Sequence, residues 1–167
     1  MKLIYAVLTL LVVAACSQPG GSTPNASLNE DLEQVLALVN AERAKGASCG
    51  STSYPAVPAL GNHARLNVAA QKHSEDMAAA TTMTHATPQG AVHYSAGTKP
   101  SERVSQEGYA WSSVGENIAA GHPSPESVVA AWMKSEGHCE NIMRASFTEI
   151  GLGLKEGYWT QVFARPL

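Results

Sequence analysis

The sequence predicts an α+β fold in which a small antiparallel sheet is covered by helices. Three observations carry this. Apolar residues recur at three- and four-residue steps in two long stretches, Leu32–Val39 and Leu66–Met77. Near the C-terminus the period changes to two: Ile150, Leu152 and Leu154 alternate with Gly151, Gly153 and Lys155, and the β-forming run YWTQVFA follows a Glu156-Gly157 turn. Helices grouped ahead of a terminal hairpin favour an antiparallel sheet with helical cover over an alternating parallel design. At 167 residues, 44% hydrophobic and 15% charged, the chain is long enough for one domain with a real core and short for two.

The first segment reads as targeting information rather than fold. Met1 and Lys2 precede LIYAVLTLLVVAA, an apolar stretch short for a membrane span, which ends in small residues before Cys16. Residues 1–15 are therefore expected to be a signal peptide. Val13-Ala14-Ala15-Cys16 resembles a bacterial lipobox, so Cys16 is expected to be lipidated and to anchor the protein to a membrane. Ordinary cleavage after Ala15 is the alternative. Ser17, under the rule by which enterobacteria sort lipoproteins, favours the outer membrane; a periplasmic or secreted protein is the alternative location. SQPGGSTPNAS has no apolar period and the composition of a flexible tether, so residues 16–27 are lipidated cysteine and linker and 28–167 the domain.

Within the domain, Ser27 and Glu30 form an S-x-x-E capping box, and Leu32, Val35, Leu36 and Val39 continue a helix to Lys45-Gly46. A second helix runs from about Asn62 to Ala80 and places His73 on its apolar stripe, where a histidine reads as a core residue. The stretch that follows, with His85, His93 and several Gly and Pro, is long for an irregular loop; Ser101 to Gln106 reads as a short helix within it. SVGENIAAG reads as a strand with Glu116 at its start. Ser124-Pro125-Glu126 opens a helix whose buried face is Val128, Val129, Trp132 and Met133. Ser135 to Met143 then reads as that helix's end and the turn after it.

Charge and cysteine count narrow the chemistry. A net charge of -3, no basic run and few aromatic residues argue against a nucleic-acid partner. Of the three cysteines, acylation of Cys16 leaves Cys49 and Cys139 to pair in an oxidising compartment; two separate buried thiols are the alternative.

AAQKHSEDMA, MTH, GENIAAG, VVAAWMKSEGH with NIM, FTEIGLGL and YWTQVFA follow one another as they do in the CAP superfamily. These are the cysteine-rich secretory, antigen 5 and pathogenesis-related-1 proteins, and the chain most resembles their bacterial branch. The resemblance covers roughly residues 32 to 165. It implies a three-layer α-β-α sandwich and an open cavity lined by histidine and glutamate. By motif, His85 matches the cavity histidine, Glu116 the glutamate of G-E-N, and His138 the histidine of the bacterial S-x-G-H turn. The second histidine that plant and animal members carry on the last strand is absent, since the strand reads Tyr158-Trp159-Thr160-Gln161; His138 would take its place. Glu136 stands near the second glutamate of the eukaryotic site, one position out of register.

Two imidazoles and one carboxylate, His85, His138 and Glu116, can hold zinc or another divalent ion with an open water position. The spacing does not require it: no H-E-x-x-H is present, and a hydrogen-bonded network without metal uses the same residues. No G-x-S-x-G supplies a nucleophile. The expected function is a binding module for a small apolar, lipid or peptide ligand. The alternative is a hydrolase, metal-dependent or driven by histidine and glutamate, acting on peptides or envelope polymers. No single reaction defines the superfamily, so fold alone does not choose.

Overall fold

A computed structural model describes residues 28–167. The expected signal peptide, Cys16 and the expected tether lie outside the described residues.

Helix α1 (Glu30–Lys45) is capped by Asn29, whose side chain accepts from the Leu32 N–H at 2.9 Å. The expected Ser27–Glu30 box is thus replaced by an asparagine cap two residues later, and Ser27 is outside the described residues. Gly46 ends the helix at φ +76, where a Cβ would meet the Tyr54 carbonyl oxygen at 2.8 Å. Two short strands the periodicity did not reveal, β1 (Ala47–Cys49) and β2 (Thr52–Tyr54), form a small hairpin. Strand β3 (Gly61–Asn62) follows, and helix α2 (Ala64–Ala79) starts at His63, whose ring nitrogen accepts from the Arg65 N–H.

Helix α3 (Pro100–Gln106) stands where the sequence places it, and strand β4 (Trp111–Ala120) begins earlier than SVGENIAAG suggests. Glu116 therefore sits inside a ten-residue strand, not at its start. Ser124 caps helix α4 (Pro125–Lys134) by accepting from the Ser127 N–H. The expected turn after it is a second helix, α5 (Glu136–Met143), set off at Ser135. Gly137 masks that helix in a propensity reading, because glycine costs about 1 kcal/mol against alanine in a helix interior.

Strands β5 (Glu149–Lys155) and β6 (Tyr158–Pro166) make the expected hairpin; both residues of its Glu156-Gly157 turn have positive φ, +50 and +80. The sheet order is β3-β5-β6-β4, antiparallel except for the two-residue β3, which pairs with β5 in parallel.

Alternation along β5 and β6 sorts the core into two sides. Ile150, Leu152, Trp159 and Phe163 face α1, α4 and α5 and join Val35, Val39, Val128, Trp132 and Ile142 in one cluster. Val162 and Ala164 face the other way, against Leu66, Ala69 and Ala70 of α2 and Val104 of α3. Gly151 and Gly153 explain the close seat of α2: a Cβ at either would come within 2.1 and 2.4 Å of the α2 backbone at Leu66 and Ala70. The result is a three-layer α-β-α sandwich.

Two cross-links hold α5 on its side. Cys49 and Cys139 form a disulfide with Cα atoms 5.5 Å apart, so the expected pairing is present and joins β1 to α5. Arg43, buried in α1, donates to the carbonyls of Pro58, Ile142, Arg144 and Phe147 at 2.6 to 3.4 Å.

Candidate functional site

The site forms at the outer edge of the sheet, because β4 is an edge strand and its alternate residues face different helical layers. Glu116, in register with Val162, faces α2 and α3; Asn117, in register with Gln161, faces α5. Residues from both layers can therefore approach one another around β4.

Glu116 is the centre. Its side chain is 2% exposed and carries a full set of partners. Oε1 accepts from His85 Nδ1 at 2.9 Å, and Oε2 accepts from Arg103 Nη2 at 2.6 Å. Arg103 also reaches the loop that carries His85: Nη1 donates to the His85 carbonyl at 3.0 Å, the Thr98 carbonyl at 2.8 Å and Thr87 Oγ1 at 3.3 Å. A buried carboxylate needs a paired charge and hydrogen bonds, and this arrangement provides both. Because an ionised carboxylate only accepts, the bond assigns the His85 proton to Nδ1 and turns Nε2 outward on a ring whose side chain is 55% exposed. The same bond to Glu116 raises the His85 pKa above its ordinary value, against burial and the Arg103 charge.

His73 lies on the inner side of Glu116. It is fully buried, with Nε2 donating to the Thr84 carbonyl at 2.9 Å and 3.9 Å from Glu116 Oε1. Burial pushes its pKa down to about 4, outweighing the pull of Glu116, so it is neutral at pH 7. The sequence reading of His73 as a core residue agrees with this place.

His138 sits in the first turn of α5, half-buried, and its carbonyl accepts from Asn117 Nδ2 at 3.1 Å. Burial lowers its pKa, and the charge of His85 lowers it further, so the two imidazoles lie within electrostatic reach. Glu136 is exposed and turns away from the cluster: its carboxylate lies over the β1–β2 turn, where a Cβ on Gly50 would meet it at 2.4 Å. Among the described residues, Glu136 makes no hydrogen bond or ion pair with His85, Glu116 or His138.

Under α5 runs a chain of amides. Asn141 Nδ2 donates to Asn117 Oδ1 at 2.9 Å and to the Glu116 carbonyl at 3.2 Å, and Asn117 Nδ2 donates to Gln161 Oε1 at 3.1 Å. These amides tie the strand bearing Glu116 to the helix bearing His138.

The metal set expected from His85, His138 and Glu116 is not assembled. Among the described residues no three His, Cys, Asp or Glu side chains converge closely enough to hold an ion. Both Glu116 oxygens already accept from N–H donors, one of them a guanidinium, so the residues as arranged do not fit a divalent cation.

Arg103 is the member that sequence reasoning missed. Nothing in PSERVSQ distinguishes a buried, ion-paired arginine from a solvated one on a short helix. Asp76 was missed likewise. Fully buried, it accepts from the backbone N–H groups of Val92, His93 and Tyr94 at 2.7 to 3.1 Å and fixes the loop that follows His85.

Away from this cluster, Leu28, Leu32, Val68, Leu152 and Leu154 line a hollow of about 440 Å³ together with Lys72, Glu75 and His93.

A model of the cysteine-rich secretory protein family, CAP, matches residues 36–163. YkwD of Bacillus subtilis is 35% identical over 133 residues, which is 78% of this chain and 46% of that protein. The membrane protein YlbC of the same organism is 28% identical over 94 residues, 56% of this chain and 25% of that one. The chain thus spans less than half the length of either curated relative. Among solved structures, an extracellular protein containing an SCP domain from Bacillus anthracis superposes with a TM-score of 0.67 at 26% identity, over 80% of this chain and 39% of that one. An outer surface protein from Borrelia burgdorferi superposes with a TM-score of 0.68, over 84% of this chain and 96% of that one; at 18% identity it shows the shared fold alone.

Proposed function

Because the chain belongs to the cysteine-rich secretory protein family, we propose that it is an exported binding module that engages a peptide at the face shared by His85 and His138. The observation that supports this is the state of His85: an exposed ring held in one orientation from beneath by a buried carboxylate and a buried guanidinium. A fixed outward nitrogen is pre-organised for a polar ligand and gives up little conformational freedom on binding. Peptide backbone suits it, because Nε2 accepts from an amide N–H when the ring is neutral and donates to an amide carbonyl when it is protonated. In a fluorescence-polarisation screen of short random peptides, His85→Ala should weaken the best binders at least tenfold, with His138→Ala also impaired. Equal binding by wild type and His85→Ala defeats the reading.

A hydrolase reading draws on the same hydrogen bond, since a histidine oriented by a carboxylate is the geometry of a general base. Mass spectrometry of the bound peptides separates the two. Intact peptides support binding, and fragments whose release requires His85 support hydrolysis.

Export is supported by the apolar segment before Cys16 and by the extracellular location stated for the Bacillus anthracis relative. Among the described residues no helix is long and apolar enough to cross a membrane. Membrane attachment through lipid on Cys16 is proposed from the lipobox-like Val13-Ala14-Ala15-Cys16. Cys16→Ser should move the protein from the membrane to the soluble fraction; wild type found wholly soluble defeats that assignment.

A further inference from the structure

We infer that Arg103 is the resident cation of this site: its guanidinium holds the place at Glu116 that a divalent ion would take, and so reserves His85 Nε2 for a hydrogen-bonding ligand. The inference deepens the binding reading and rests on it for the role of Nε2. The ion pair itself stands on geometry.

Three features make the guanidinium a fixture rather than a passing partner. It is 1% exposed, so it cannot swing into solvent without opening the fold. Its other nitrogen, Nη1, is engaged by His85, Thr87 and Thr98, so leaving Glu116 would also release the loop that carries His85. Arginine does not deprotonate in proteins, so raising the pH does not free the carboxylate.

A metal ion at Glu116 would meet two obstacles. It would lie against a buried positive charge in a medium that screens poorly. It would also have to displace the His85 Nδ1 proton from Oε1. What remains for a metal is His85 Nε2 and His138, two imidazoles without a carboxylate, short of the three protein ligands that catalytic zinc sites use. Arg103 is a positioning residue in this account: it acts on a ligand through Glu116 and through the loop, and touches none itself.

The test is zinc binding by the full chain, followed by competition with a chromophoric chelator and with no peptide present. Wild type and His85→Ala should give the same zinc affinity, because the cluster contributes nothing. Arg103→Met keeps most of the side chain's length and removes its charge; it should gain at least tenfold in zinc affinity, and adding His85→Ala should cancel the gain. Wild type losing tenfold or more in zinc affinity on His85→Ala or Glu116→Gln would overturn the inference, as would a folded Arg103→Met that gains nothing. Should Arg103→Met fail to fold, the wild-type His85 ring decides. Its ¹⁵N resonances should stay in place at one equivalent of zinc, and a shift at Nδ1 or Nε2 would overturn the inference. Peptide binding is measured separately, so failure of the binding reading is told apart from failure of this one.

Discussion

Arg43 and Arg103 are each 1% exposed, yet they do different work. Arg43 has carbonyl partners alone, those of Pro58, Ile142, Arg144 and Phe147, and it stitches α1 to the chain on either side of the α5 end. Burial depresses its pKa, and among the described residues no carboxylate pairs with it. Arg103 has two carbonyls, a hydroxyl and the Glu116 carboxylate, and that carboxylate reaches on to a half-exposed histidine. A buried guanidinium that ends in carbonyls is a structural tie. One whose charge is relayed to an exposed, titratable ring supports, in the proposed function, the point of contact with a ligand. If this contrast is right, damage on the Arg43 side should appear as lost stability with His85 unmoved.

The largest effect should come from the disulfide on the Arg43 side. With Cys49 and Cys139 at a sequence separation of 90, the chain-entropy account gives about 4 to 5 kcal/mol, less any strain released. Replacing both cysteines with serine should lower the urea midpoint accordingly, while the His85 ring keeps its titration curve. A moved curve would mean that the two regions are one unit.

Arg43→Met should follow, at about 3 kcal/mol, since it leaves several buried carbonyls without donors. The measurement is again urea unfolding. A loss below about 1 kcal/mol would show that the carbonyls find other donors and that the tie is ornamental.

How much of this contrast could be read in advance is instructive. The two helical stripes, the terminal hairpin and the Cys49–Cys139 pair were legible because period and cysteine count are local or arithmetic signals. The α5 helix was not, since Gly137 and a single intervening Ser135 make two helices read as one helix and a turn. The His85–Glu116 contact followed from motifs, whereas Arg43 and Arg103 carry no local mark. Each is buried by contacts made far along the chain, 99 residues away for the Ile142 carbonyl and 13 for Glu116. Glu136 shows the converse: its place in the motif suggested the site, but the helix that begins there carries it over Gly50.

Acid should probe the Arg103 side from within. His73 is neutral in the folded state, with a pKa of about 4 against an ordinary 6.5. Between those values the unfolded chain binds a proton that the folded chain refuses. Stability is therefore intact above 6.5 and falls as pH drops toward 4, by about 3 kcal/mol in all. His73→Gln can keep a donor toward the Thr84 carbonyl and does not titrate, so it should flatten this limb of the stability curve. An unchanged acid limb would remove His73 as its cause.

His85 sits on the opposite side of the same carboxylate and should show the opposite sign with the smallest size. Its folded pKa is raised, chiefly by the bond to Glu116. Its contribution to stability is therefore complete below the unfolded value of 6.5 and is lost as pH rises through the folded one. Because the side chain is 55% exposed, solvent screens the pair, and His85→Ala should cost only about 0.3 to 0.5 kcal/mol at pH 6 and less at pH 8. Glu116→Gln keeps the side-chain shape and deletes the charge, so the His85 ring should then titrate at lower pH, with NMR of the ring as the measurement. A loss above 2 kcal/mol in His85→Ala would place the ring among the structural ties with Arg43, and the division between the two regions would fail where it matters for ligand binding. A small loss with a large effect on peptide affinity would instead fix His85 as the point where the buried charge network meets the ligand.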